Sequence, residues 1–109
     1  MATNYKVLGQ IYPTATTYTT LYTCGTANGA VCSTLIVCNQ GTASTNINVA
    51  VRPAGATLTN SQYIIYVAPI SSNDTLFFTL GLTLANTDVV TCSATSGSVS
   101  FSLFGSEIT

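Results

Sequence analysis

The chain has 109 residues but only five charged ones, Lys6, Arg52, Asp74, Asp88 and Glu107, for a net charge of −1; histidine and tryptophan are absent. An average soluble domain is about 25% charged. With two basic residues, the chain lacks the electrostatic footprint of nucleic-acid binding and of attraction to anionic membranes. A charge this close to zero suits a protein packed into an assembly better than one kept apart from its neighbours in solution.

The apolar fraction, 47%, is that of a globular chain. Its apolar residues come in short runs, none near the ~18 consecutive residues of a membrane helix. The length predicts one domain over residues 1–109. The opening Met1-Ala-Thr-Asn-Tyr-Lys6 shows no basic stretch followed by an apolar one. That predicts no secretory signal and synthesis in a cytoplasm.

In chain order, the first predicted strand covers residues 5–12 and stops at Pro13. The Thr-rich run Thr14-Ala-Thr-Thr-Tyr-Thr-Thr20 leads into the second strand, 18–24. This run reads as an edge with a hydroxylated outer face, or as a flat polar surface offered to a neighbouring subunit. Natural sheet edges are guarded by Lys, other charges or Pro. With one lysine, this chain needs its edges covered.

Cys24 and Cys32 bracket Gly25-Thr-Ala-Asn-Gly-Ala-Val31. A short loop with Gly29 in the left-handed conformation would set the two cysteines opposite each other in a hairpin, a geometry that permits a disulfide. Without an export signal, reduced, structural cysteines are expected ahead of that bridge. Cys38 and Cys92 read as small buried hydrophobes. The gaps of seven, five and fifty-three residues between the four cysteines do not form a zinc pattern.

The third strand, 30–39, ends at Asn39-Gln-Gly41. The fourth, 44–52, alternates Ile47, Val49 and Val51 with Asn48, Ala50 and Arg52, and stops at Pro53-Ala-Gly55. The fifth, 62–68, carries Tyr63 and Tyr66 three residues apart, hence on opposite faces. After Ser71-Ser-Asn-Asp74 comes the sixth, 75–82, with Leu76, Phe78 and Leu80 on one face. The turn Ala85-Asn-Thr-Asp88 opens the seventh, 89–95. Ser96-Gly97 opens the eighth, 98–104, with Val99, Phe101 and Leu103 alternating with serines. Period two over eight short strands predicts an all-β fold, a two-sheet sandwich or jelly roll. Leu35, Val37 and Ile65 join the apolar residues named in these strands as the predicted core.

No catalytic or metal-ligating set is predicted, and no cofactor. Acid–base chemistry needs paired carboxylates or a histidine, and a Ser or Cys nucleophile needs a base. Asp74 and Asp88 sit in turns where Asp satisfies local backbone N–H groups. Glu107 has no evident partner. The six tyrosines (Tyr5, Tyr12, Tyr18, Tyr22, Tyr63 and Tyr66), with Arg52, are the candidate interface residues, because Tyr joins a large apolar body to a polar tip. The competing use of outward Tyr is as a platform for sugars.

End to end, the chain resembles a family of small virion structural proteins of tailed phages, especially those of cyanobacteria and marine bacteria. The residues that carry the resemblance include Lys6-Val-Leu-Gly-Gln10, Ser33-Thr-Leu-Ile-Val-Cys-Asn39, Val49-Ala-Val-Arg-Pro-Ala-Gly55, Asn73-Asp-Thr-Leu76, Leu80-Gly-Leu-Thr-Leu84 and the closing Phe104-Gly-Ser-Glu-Ile-Thr109. The resemblance implies a virion location and a capsid decoration or cement role, with the major capsid protein and further copies of the chain as partners. A homo-trimer is expected ahead of a homo-dimer. The alternative is a neck, tail or fibre component, including a carbohydrate-binding adhesion module that uses surface Tyr.

Overall fold

The computed structural model describes residues 2–109, apart from the side chain of Leu80. Its eight strands are β1 (Thr3–Ile11), β2 (Thr19–Thr23), β3 (Ala30–Asn39), β4 (Thr45–Arg52), β5 (Tyr63–Ile70), β6 (Thr75–Leu84), β7 (Val89–Ala94) and β8 (Val99–Ile108). One sheet has the order β1-β8-β3-β6 and the other β2-β7-β4-β5, and every ladder is antiparallel. Each strand pairs with the one whose number completes nine: β1 with β8, β2 with β7, β3 with β6, β4 with β5. The chain is thus a long antiparallel ribbon rolled so that successive pairs fall in alternate sheets. This is the jelly-roll form of the expected sandwich. The only helical pieces among the described residues are 3-10 turns at Pro53–Gly55 and Asn60–Gln62.

Alternation places the core where the sequence predicts it. Leu35, Val37, Ile47, Val49, Val99, Phe101 and Leu103 are buried, and Val51, Ile65, Leu76 and Phe78 pack half-buried against them. The expectation for Leu80 lies outside the described residues. The core also takes in Leu21, Tyr22, Cys24, Cys32, Ile70, Leu84, Val90 and Cys92. Cys38, expected to be buried, is half-buried. It pairs with Ser100 and Thr75 on the outer face of its sheet.

Three local expectations are corrected. The Thr-rich run is mostly loop, and only its end, Thr19 and Thr20, enters β2. β8 runs past 104 to Ile108, because Gly105–Ile108 pairs with the start of β1 on one side and with β3 on the other. Cys24 and Cys32 do not face each other across a hairpin. Gly29 does adopt the left-handed conformation, at φ 88°, but the chain there crosses from one sheet to the other. Both cysteines are buried free thiols. Burial first, and Cys24 as a neighbour second, push the Cys32 thiol up to about 11. Burial alone pushes Cys92 up to about 12. These thiols are protonated at neutral pH, and thiols reach the reactive form only as thiolates.

Candidate interaction surfaces

The six tyrosines and Arg52 separate into three places. Tyr5 and Tyr12 lie on the outer face of the β1-β8-β3-β6 sheet and are 85% and 58% exposed. Rows of side chains run across all four strands there: Val7, Phe104, Thr34 and Thr79 in one, Gln10, Ser102, Ile36 and Phe77 in the next. Val7 and Phe77 are exposed. Near one end an open cleft of about 510 Å³ is lined by Gln10, Tyr12, Gln40, Ser100 and Ser102 among others. Among the described residues, no charged side chain projects from this face.

The charges are used elsewhere. Lys6 Nζ donates to Glu107 Oε1 at 2.9 Å, and Tyr22 OH donates to Glu107 Oε2 at 2.5 Å. Glu107 therefore has the partners its sequence context does not reveal, and Tyr22, at 7% exposure, is an interior residue unavailable to a partner. The Tyr22 hydroxyl first, and Lys6 second, hold the Glu107 carboxyl below its ordinary range. Burial first, and the bond to Glu107 second, push the Tyr22 phenol well up. A depressed carboxyl stabilises the fold fully above its unfolded value, roughly 4.3, and that contribution is lost as pH falls through the folded value. Urea melts across the acid range should show Glu107→Gln flattening this part of the pH dependence. A variant with the wild-type acid profile would exclude the pairing in solution. Asp88 accepts from Ala54 N and Ala85 N, both at 2.9 Å, and Asp74 accepts from Thr75 N at 2.8 Å. Both are turn-capping roles.

The third place is on the other sheet. Sequence parity puts Tyr63 and Tyr66 on opposite faces, but the structure puts them together. Ala50 pairs with Tyr63, Val49 with Ile65, and Ile47 with Ala68, so β5 carries an extra residue on each side of Ile65. The bulge between Tyr63 and Ile65 turns Tyr63 outward beside Tyr66, with ring centroids 4.9 Å apart in an edge-to-face contact. Val67 sits in the second bulge at φ 51°, and its N–H donates to Asn48 Oδ1 at 2.8 Å. Tyr18 completes the group: its hydroxyl lies 2.6 Å from that of Tyr63, and the rings meet at 6.4 Å. That hydrogen bond first, and burial second, push the Tyr63 phenol up to about 12. One cleft of about 400 Å³ is lined by Asn60, Tyr63 and Tyr66, and another of about 240 Å³ by Tyr18, Thr20, Arg52, Leu58 and Thr91.

No family model, curated protein or solved structure matches the chain. No helix among the described residues is long and apolar enough to cross a membrane.

Proposed function

We propose that the chain is a non-catalytic structural component of a phage virion, a head decoration protein that binds the major capsid protein and copies of itself through the β1-β8-β3-β6 face and the β6 edge. The observation that supports this reading is the contrast among the four sheet edges. β1 carries Lys6 and a bulge between Val7 and Gly9. β2 is five residues long and bulged. β5 carries Pro69 and two bulges. These are the usual devices against edge-to-edge pairing. β6 is bulged as well, between Thr79 and Leu82, but it has neither Pro nor charge, pairs in regular register with β3 from Thr75 to Thr79, and exposes Phe77 by 71%.

The adjoining face has the size for a contact. Four strands about 4.8 Å apart and about ten residues long span on the order of 600 Å² before side-chain relief. A standard interface uses roughly 800 Å² per partner. Apolar and Tyr surface would supply the binding energy, so association should be nearly insensitive to salt. The jelly roll hosts viral capsid and lectin domains, an analogy of fold that fits the reading without assigning it.

Sedimentation of the purified chain tests the self-association. The wild type should form a closed oligomer, a trimer by the resemblance, and Phe77→Lys should return it to a folded monomer whose melting temperature no longer depends on protein concentration. Binding to isolated phage heads should give hundreds of copies on the shell. A monomer at high concentration that heads do not capture would overturn the reading, and a few copies at the tail would transfer it to a neck, tail or fibre role.

A further inference from the structure

We propose that the clefts around Tyr18, Tyr63 and Tyr66 form a saccharide site, and that Arg52 makes it selective for a sugar bearing a carboxylate, such as a hexuronate. The site lies on the sheet opposite the assembly face and does not depend on the assembly reading. Bulges guard the β5 edge, but guarding an edge does not require three tyrosines grouped beside them. The bulge between Tyr63 and Ile65 turns Tyr63 outward beside Tyr66, and Val67, a β-branched residue at positive φ, sits in the next bulge. A β-branched residue is an outlier in that region, and such backbone outliers cluster at binding and active sites. Tyr66 is left 67% exposed.

The chemistry of the lining selects the ligand class. Tyr rings offer apolar faces with a polar rim, which match the C–H face and hydroxyls of a pyranose. Asn60 adds an amide with two donors and an acceptor, and Thr20 a hydroxyl that both donates and accepts. The Tyr18–Tyr63 hydroxyl pair joins the two clefts. Their volumes, about 400 and 240 Å³, lie near the lower end of ligand sites, roughly 300 Å³.

Arg52 supplies the selectivity. Its Nε donates to Thr91 Oγ1 at 3.1 Å, and its Nη1 to Gly55 O and Ala56 O at 3.3 and 3.2 Å. The guanidinium is thereby fixed, while Nη2 donates to no described residue. The one ion pair among the described residues is Lys6–Glu107, so no carboxylate lies within 4 Å of Arg52. Asp88, the acid nearest in the ladder beside Val89, is committed to two backbone N–H groups. A planar guanidinium held by three neutral acceptors retains its charge and an open edge for a carboxylate. A single cation beside aromatic rings does not suit a polyanion such as nucleic acid.

Calorimetry with a hexuronate trisaccharide and with the neutral hexose trisaccharide of the same linkage tests the proposal. The acidic sugar should bind about tenfold more tightly or better, with the preference shrinking as salt rises. Tyr66→Ala, at an exposed position, should weaken both sugars about tenfold, within the range of a removed interface aromatic. Arg52→Gln should bring the acidic sugar down to the neutral level and leave the neutral one unchanged. Should Arg52→Gln fail to fold, chemical shifts of the wild type decide: hexuronate must perturb Asn60, Tyr66 and the Arg52 guanidinium. No binding of either sugar at millimolar concentration, equal affinity for both, or shifts elsewhere on the surface would overturn the proposal. Self-association of Tyr66→Ala should match the wild type, which separates failure of this site from failure of the assembly reading.

Discussion

Asn39→Leu is expected to destabilise the fold by about 3 kcal/mol or more. The side chain is fully buried and uses both ends of its amide. Nδ2 donates to Ala43 O at 3.0 Å, Ser71 O at 3.1 Å and Ile70 O at 3.5 Å, while Oδ1 accepts from Gly41 N and Ser98 Oγ, both at 3.0 Å. One residue thus holds together the loops after β3, β5 and β7 at one end of the sandwich. Leucine fills similar space but leaves these groups without a partner, and each buried orphan costs about 1–3 kcal/mol. Rehydration of the more exposed carbonyls keeps the total below the full sum. Asn39→Asp should be worse at neutral pH, because an ionised carboxylate would face three carbonyl oxygens. Its protonated form can donate to one of them, so the deficit of this variant should narrow as pH falls into the carboxylate range. Urea melts at neutral and acid pH measure both effects. A loss under about 1 kcal/mol for Asn39→Leu would mean that this end of the sandwich is hydrated in solution.

The legible part of the fold was the part that obeys period two. Strands such as β3 and β4 put an apolar residue at every second position, and turn residues separate them, so eight strands and most of the core could be read directly. The Gly105–Ile108 end of β8 was hidden because Gly, Ser and Glu have little strand preference; its partners lie about a hundred residues away in β1. Cys24 and Cys32 suggested a hairpin because a loop with Gly29 suits one equally well. Which sheet a strand joins is a non-local choice, decided by the rolling of the whole ribbon.

The candidate sites were harder to read for the same reason. Six tyrosines stand out in the composition, but nothing local says that Tyr22 turns inward to Glu107. The grouping of Tyr63 with Tyr66 depends on the one bulge between Tyr63 and Ile65, and an inserted residue flips every side chain beyond it to the other face. The one signal in the sequence was Pro69 near the end of β5, which marks an edge strand, where bulges are common. Arg52 was visible as a rare cation. Its lack of a carboxylate partner needed the positions of all three acids.

Gly105→Ala should rival Asn39→Leu in cost. β8 lies between β1 and β3, and Gly105 pairs with Lys6 on one side and Cys32 on the other, next to a register shift in β3. A Cβ at this position would lie 2.1 Å from Val31 O and 2.9 Å from Cys32 Cα. Both are backbone atoms, which cannot rotate away as a side chain could, so two central strands must separate locally. Overpacking of this kind costs typically about 1–3 kcal/mol and occasionally more, and contact with backbone on a central strand places it at the upper end. Separation here would also disturb Glu107, two residues on, and with it the bonds to Lys6 and Tyr22. The acid dependence of stability assigned to Glu107 should therefore weaken in the same variant. Gly81→Ala is the control: it is also a strand glycine, but a Cβ there meets nothing within 4 Å. It should change stability by no more than about 0.5 kcal/mol. Paired denaturant melts decide the matter, and equal stability of the two variants would mean that β8 and β3 do not approach as closely in solution as Gly105 allows.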